Sequence, residues 1–459
     1  MKNYIYKFYT LLLFTISLIS CESIIDIDLP NDQINTEDVF KEYHTTKAAL
    51  SNIYVSIRQK SLFTGNSGGM GNAMGLYTDD LVSYAQPNSA SGIYEINNNT
   101  LLPSNSTISS LWRNTYETIY SINAFIEGLS ASPYIDTKQK EELLSQAYLL
   151  RALLYQYLTQ LFGDIPYITT TDYKQNTITR KNNYQQVLSL VESDLLKALS
   201  GLTYAYDNKE RIYPNKSVAE LLLAKNYLLQ KDYTQAFNYA TKVVDNPLYK
   251  IEDNIDRVFK KEAKSTLWQL SPNSPGEMTY EARNYYIATA PPTTQSLSES
   301  LINDFDSKDL RRQKWITTIT KNNQTWYAPY KYKNIINNTD EYSIIFRIEE
   351  AHFVLIEALA YQDKIDDALA YLNKIRQRAN LDPINQKIGK EDFIKMMIQE
   401  SRKEFFTEHG HRFIDLKRNN MLYILQANKS NWEQKHTLFP YPESELEINK
   451  NLKPQNYGY

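Results

Sequence analysis

The chain has 459 residues, 42% of them hydrophobic, with 50 Lys and Arg against 53 Asp and Glu and a formal net charge of −3. No basic excess is present to draw nucleic acid or an anionic bilayer, and a single cysteine excludes an intramolecular disulfide. Only 13 glycines favour helix over a turn-dense β architecture, and 37 tyrosines supply much amphipathic aromatic surface.

At the N-terminus, Lys2 and Lys7 flank an uncharged apolar run, Thr10 to Ile19. The run is shorter than the roughly 20 apolar residues that span a bilayer, so it reads as an export signal. An ordinary cleavage site wants small residues at −1 and −3; Ser20 suits, Leu18 does not. Leu18-Ile19-Ser20-Cys21 instead resembles the bacterial lipoprotein signal, in which the Cys becomes the first mature residue and carries acyl chains such as palmitate. Residues 1–20 are thus predicted to be a signal peptide and Cys21 the lipidation site. Loss of Lys2 and Lys7 moves the charge from −3 to −5, so membrane attachment rests on lipid. Residues 21–36, with Pro30 among Asp, Asn and Ser, read as a lipidated tether.

Beyond the tether, helical segments recur in pairs. Glu37–Gln59 pairs with Ser106–Leu129 across an insertion, 60–105. Lys138–Phe162 pairs with Tyr184–Leu199. Ser217–Asn246 is the clearest pair: Leu223, Ala224 and Tyr227 share one face of its first helix. Its second helix spaces Tyr233, Ala236, Phe237, Ala240, Val243 and Val244 at i, i+3, i+4. That is the layout of a tetratricopeptide repeat. After a second insertion, 252–344, Phe346–Leu381 repeats it less perfectly, with Leu355, Leu359, Ile365, Ala368 and Ile375. The expected fold is mainly α, with four tetratricopeptide-like helix pairs in one compact body rather than an open solenoid. Residues 37–459 read as one domain, with an N-terminal part 37–216 and a C-terminal part 217–459. Loops as long as the two insertions are uncommon inside a compact domain and usually functional.

Four stretches then resemble one family. They are Arg151-Ala-Leu-Leu-Tyr-Gln-Tyr-Leu-Thr-Gln-Leu-Phe-Gly-Asp-Ile-Pro-Tyr167; Trp112–Gly128, with Tyr116 and Asn123; Glu400–Arg418; and Leu438–Leu446 with the ending Gln455–Tyr459. In this collinear order the chain resembles the SusD/RagB family of nutrient-binding outer-membrane lipoproteins of Bacteroidota. The resemblance implies a fold of four tetratricopeptide-like helix pairs packed against an irregular, loop-rich half, and an acylated N-terminal Cys in the outer membrane, facing outward. It also implies a partner, a SusC-like TonB-dependent transporter, over which the lipoprotein sits as a lid. It does not carry a ligand over, because binding residues lie in the variable insertions.

Glu349…His352 and Glu408…His411 have the Glu-x-x-His spacing of dinuclear metal sites in helical bundles, but Gly410 interrupts the second and no converging ligand set is evident. No cofactor or metal is expected. The charges of Arg402, Lys403, Glu404, Glu408, Arg412, Asp415, Lys417 and Arg418 read as a structural ion-pair network. No Walker loop, nucleophile elbow or zinc spacing is present, and adjacent Asp79-Asp80 are poorly placed for glycoside hydrolysis. The chain is therefore expected not to be an enzyme.

The aromatic insertions carry the binding hypothesis. Sugar rings stack on flat aromatic side chains, and their hydroxyls need acid and amide partners. The expected ligand residues are Asp79, Asp80, Tyr84 and Asn88 from the first insertion, with Tyr285, Tyr286, Trp326, Tyr327 and Tyr330 from the second. Trp326-Tyr327, after the polar Lys321-Asn322-Asn323-Gln324 turn, is expected to form a solvent-accessible platform, whereas Trp315 reads as core. An oligosaccharide ligand is the first reading; a peptide or other nutrient, and less so a surface hydrolase, stay open.

Overall fold

The structure, a computed structural model, describes residues 36–87 and 91–459. Cys21, residues 1–20, nearly all of the tether and Asn88 lie outside the described residues. In chain order the helices used below are α1 (Tyr43–Lys60), α2 (Met70–Tyr77), α3 (Ser106–Ala131), α4 (Thr137–Phe162), α5 (Tyr184–Gly201) and α6 (Lys216–Gln230). They continue with α7 (Tyr233–Val244), α8 (Glu299–Asn303), α9 (Ile348–Tyr361), α10 (Ile365–Arg378), α11 (Lys390–Phe405) and α12 (His411–Arg418).

The long helices pack as α1 on α3, α4 on α5, α6 on α7 and α9 on α10, the pairs expected from periodicity. The break inside the clearest pair is local. Lys231 takes a left-handed φ of 63°, and the Asp232 carboxylate accepts the Gln235 N–H at 3.0 Å to start α7. Ala236 and Ala240 are fully buried where α7 lies against α6 and α9. Tyr233 and Tyr361 stack at 4.4 Å between consecutive pairs.

The Arg151–Tyr167 stretch ties three of these helices together. Arg151 on α4 donates to Asp194 on α5 at 2.7 and 2.9 Å and to Asn123 on α3 at 2.9 Å. Gly163 ends α4 at a φ of +75°, a conformation that L side chains rarely adopt. The chain then turns back so that Tyr167 stacks on Tyr155 at 3.9 Å and donates to Asp194 at 2.8 Å. The C-terminal segment closes over the same end: Phe439 N–H donates to Leu161 O at 2.7 Å and Tyr441 Oη to Asp164 O at 2.7 Å.

The insertions are more ordered than their weak periodicity suggests. Three two-stranded antiparallel sheets form, β1 (Leu81–Ser83) with β3 (Gln295–Leu297), β2 (Thr266–Leu270) with β6 (Ser343–Arg347), and β4 (Ile316–Lys321) with β5 (Gln324–Pro329). The first of these stitches one insertion to the other, with Leu81 opposite Leu297. Trp268, Tyr285 and Trp315 belong to the hydrophobic cluster that runs from Phe40 to Leu452. In α2 every residue but Gly71 is buried, so no polar face exists to reveal a period. Gly71 itself lies where a Cβ would come within 2.5 Å of the Thr407 carbonyl oxygen.

Candidate functional site

Asp79 and Asp80 follow α2 and neither lines the large cleft walled by β1, α8 and the β4–β5 hairpin, although Asp79 borders a smaller pocket beside it. They are 4% and 2% exposed. Arg402 on α11 donates through Nε to Asp80 at 2.8 Å, through Nη1 to Asp304 at 2.6 Å and through Nη2 to the Asp79 carbonyl at 2.6 Å. Arg412 on α12 donates to the Asp79 carboxylate at 3.0 Å, and the Asn428 amide adds a bond at 3.0 Å. Burial pushes the Asp79 carboxyl up, but the two guanidiniums and the amide outweigh it and hold it at about 2. The expected role as acceptor for ligand hydroxyls is corrected for Asp80, which is buried on Arg402; Asp79, paired with Arg402 and Arg412, borders the smaller pocket and not the large cleft. Both acids support the neighbouring chain through their backbone carbonyls. Ser298 N–H donates to Asp80 O at 2.9 Å and Ser298 Oγ to Asp79 O at 2.5 Å, and Ser298 Oγ in turn caps α8.

Ser298 sits between two residues, Leu297 and Glu299, that line an open cleft of about 770 Å³. One wall is β1 and the residue after it, giving Val82 and Tyr84; a second is Ser296, Leu297 and the α8 residues Glu299, Ile302 and Asn303. The third is the β4–β5 hairpin from Asn323 to Tyr327. The hairpin forms because Asn322 and Asn323 both accept positive φ, 50° and 65°, as a two-residue turn between twisted strands requires. Tyr84 Oη lies 2.9 Å from Ser296 Oγ, residues 212 apart in the chain, which fixes the aromatic ring at the joint of the two insertions.

Trp326, Tyr327 and Tyr84 thus meet at one cleft. Trp326 and Tyr327 do not form a single flat platform, because consecutive strand residues leave opposite faces. Trp326 shares its face with its partner Ile319, and Tyr327 shares the other with Thr318. The Arg312 guanidinium covers the Tyr327 ring at 4.8 Å, and Tyr327 packs against the core, so Trp326 is the more available ring. Tyr285 is buried, against expectation, on a short helix whose inner face meets the core. Tyr286 and Tyr330 are exposed but do not line this cleft. Trp315 is buried and donates from its indole to Ile255 O at 3.2 Å.

Glu299, Ile302 and Asn303 were not anticipated. Ser298 before Glu299 is a helix-start signal, but only the β1–β3 pairing brings that helix beside Tyr84. The two Glu-x-x-His pairs also separate. Glu349 is bound by Arg378 and Arg347, and Glu408 by Arg347 and Lys331. His352 is buried, which lowers its pKa to about 4, and His411 stacks on Phe405 at 4.2 Å. Among the described residues no group of three or more His, Cys, Asp or Glu is placed to hold a metal ion. Glu404 joins this network through Arg311, Arg347 and Arg378, so the charged run near the C-terminus clamps the second insertion to α9, α10 and α11.

Residues 27–228 match the family described as starch-binding, associating with outer membrane, and residues 170–459 match the SusD family. SusD-like protein P2 of Formosa agariphila is 25% identical, with 100% of both chains covered. A solved laminarin binding SusD-like protein is 20% identical at a TM-score of 0.76, covering 92% of this chain and 100% of that one. Surface glycan-binding protein A from Bacteroides fluxus is 18% identical at a TM-score of 0.74, covering 91% and 99%. The SusD-family match alone spans more than half of the sequence and includes the Arg402–Arg418 clamp and the C-terminal segment; the chain belongs to the SusD family.

Proposed function

We propose that this chain is a surface-exposed, non-catalytic lipoprotein of the outer membrane that captures an oligosaccharide in the Trp326 cleft and hands it to a SusC-like TonB-dependent transporter. The observation that carries the reading is the cleft itself. An available indole and the Tyr84 ring stand beside Glu299, Asn303 and Gln324, the mixture of flat ring and polar rim that a saccharide needs. The laminarin-binding and glycan-binding neighbours support it. Binding without cleavage is favoured because Asp79 and Asp80 are paired with Arg402 and Arg412, and Glu299 is the one carboxylate lining the cleft among the described residues, where glycoside hydrolysis wants two. Anchoring is assigned to acyl chains on Cys21 from the Leu18-Ile19-Ser20-Cys21 pattern.

Trp326→Ala tests the capture. A stacked ring contributes about 0.5–1.5 kcal/mol beyond its area burial, so affinity for the captured oligosaccharide is expected to fall up to about tenfold in calorimetry, with an unchanged melting temperature. Equal affinity in the folded variant would move the site elsewhere. Cys21→Ser is expected to abolish labelled-palmitate incorporation and release the protein from membranes; incorporation that persists contradicts the anchor. Co-purification of the transporter from detergent-solubilised outer membranes is expected to survive Trp326→Ala, because the ring serves the ligand.

A further inference from the structure

The cleft has a neighbour across its own wall. Two interior voids, of about 50 and 30 Å³, have room for a few water molecules at roughly 10–15 Å³ each. A third pocket, of about 190 Å³, is larger and opens on the far side of β1 and α8. Val82 borders both it and the Trp326 cleft, while α8 divides its residues, Ser300 to the pocket and Glu299 and Asn303 to the cleft.

The pocket is walled by amides and hydroxyls. Asn97, Asn98 and Asn99 come from the end of the helix Ile93–Asn98, and the stretch 428–431 crosses from the segment after α12. Its carboxylate, Asp79, is committed to arginines. Its ammonium, Lys429, donates to Leu76 O at 2.6 Å and to Asn97 O at 2.8 Å. Asn99 is 3% exposed; its Nδ2 donates to Tyr77 O at 3.0 Å, yet its Oδ1 accepts no hydrogen bond from the described residues. A buried acceptor left without a donor is costly, so this wall has a place for a donor such as water or a ligand hydroxyl.

We propose that this pocket is a second saccharide subsite, taking an uncharged, hydroxyl-rich sugar ring adjacent to the ring held at Trp326. The inference rests on the saccharide reading of that cleft and sharpens it: the ligand is a chain of neutral sugars long enough to pass Val82. Hydroxyls both donate and accept, which matches amide and serine walls; an anionic sugar would want a free cation, and Lys429 is occupied. A peptide side chain would want a broader apolar lining than Leu81 and Val82 provide.

The test is a glycan array of neutral, uronic-acid and sulfated oligosaccharides, from disaccharides upward, followed by calorimetry on the chains that bind. Affinity is expected to rise about tenfold with chain length until both subsites are filled. Ser430→Trp, at an exposed position of the pocket wall, is expected to remove that gain while leaving short-chain affinity intact. Asn431→Ala, a milder change in the same wall, is expected to reduce the gain in part, and equal melting temperatures show that both variants are folded. Binding without a length gain, or a gain that survives both variants, overturns the second subsite and leaves the cleft standing. Preference for uronic or sulfated chains that is lost in Lys429→Met overturns the neutral-sugar assignment. Failure of every saccharide to bind the parent overturns the cleft reading itself.

Discussion

The paired helices and the two insertions obey different rules. In the helix pairs α1, α5, α7 and α10 bury one stripe and leave the other wet, so their sequence repeats every three or four residues, while α4 and α9 are buried all round over much of their length. In the insertions α2 is buried nearly all round, strands of three residues pair across more than two hundred positions, and Asp79 and Asp80 are as buried as leucines. Order there comes from partners distant in the chain, above all Arg402 and Arg412. The comparison teaches that the ligand cleft is borne by the half whose structure depends on long-range charge pairing. The helical half supplies the frame.

Breaking the charge pairing is expected to have the largest effect. Arg402→Met leaves Asp79, Asp80 and Asp304 without a shared guanidinium, and losing one partner of a buried ion pair costs about 3–5 kcal/mol. Denaturant unfolding is expected to show that loss, and glycan binding is expected to fall too, because β1 and Ser298 rest on the same acids. A stability close to the parent would show that the insertions are held by packing alone. In the helical half, Ala236→Phe and Ala368→Phe are expected to cost about 1–3 kcal/mol each, since both alanines are fully buried where helices meet. An unchanged melting temperature in both would refute the close approach of the pairs.

Acid sharpens the contrast more gently. Burial raises the carboxyls of Asp79, Glu400 and Glu350, but their basic partners outweigh it and hold each at about 2. Their partners are Arg402 and Arg412, Arg311 and Lys403, and Lys225 and His411, respectively. A carboxyl depressed on folding contributes fully above its unfolded value of about 4, and that contribution is lost as pH falls towards its folded value. Burial raises Asp80 and Glu349 instead, which offsets part of the loss. The urea midpoint is expected to drop between about pH 4 and pH 2. A flat midpoint over that interval would mean that the network contributes no net stability.

Much of this was legible in the sequence, for physical reasons. Ala236, Leu223 and Tyr233 announce a helix pair because the helix period survives in a half-buried element. Asn322-Asn323 announces a turn because few residues accept positive φ, but the strands on either side were not read from the sequence. Trp315 could be assigned to the core and Arg402 to Arg418 to an ion network. The site was legible only in part. Tyr84 and Trp326 are in the cleft, but Asp79, Asp80 and Tyr285 are inside, because an acid in an aromatic loop looks the same whether it faces a sugar or an arginine far along the chain. Trp326-Tyr327 reads as one platform only until strand geometry places the rings on opposite faces.

The most direct measurement is a crystal structure of the protein with a bound neutral oligosaccharide. The account expects one sugar ring stacked on Trp326 near Tyr84, with hydroxyls reaching Glu299 or Asn303 and no contact from that ring to the Asp79 or Asp80 carboxylates. A ligand seated away from the β4–β5 hairpin, or one held by the Asp80 carboxylate, would contradict it.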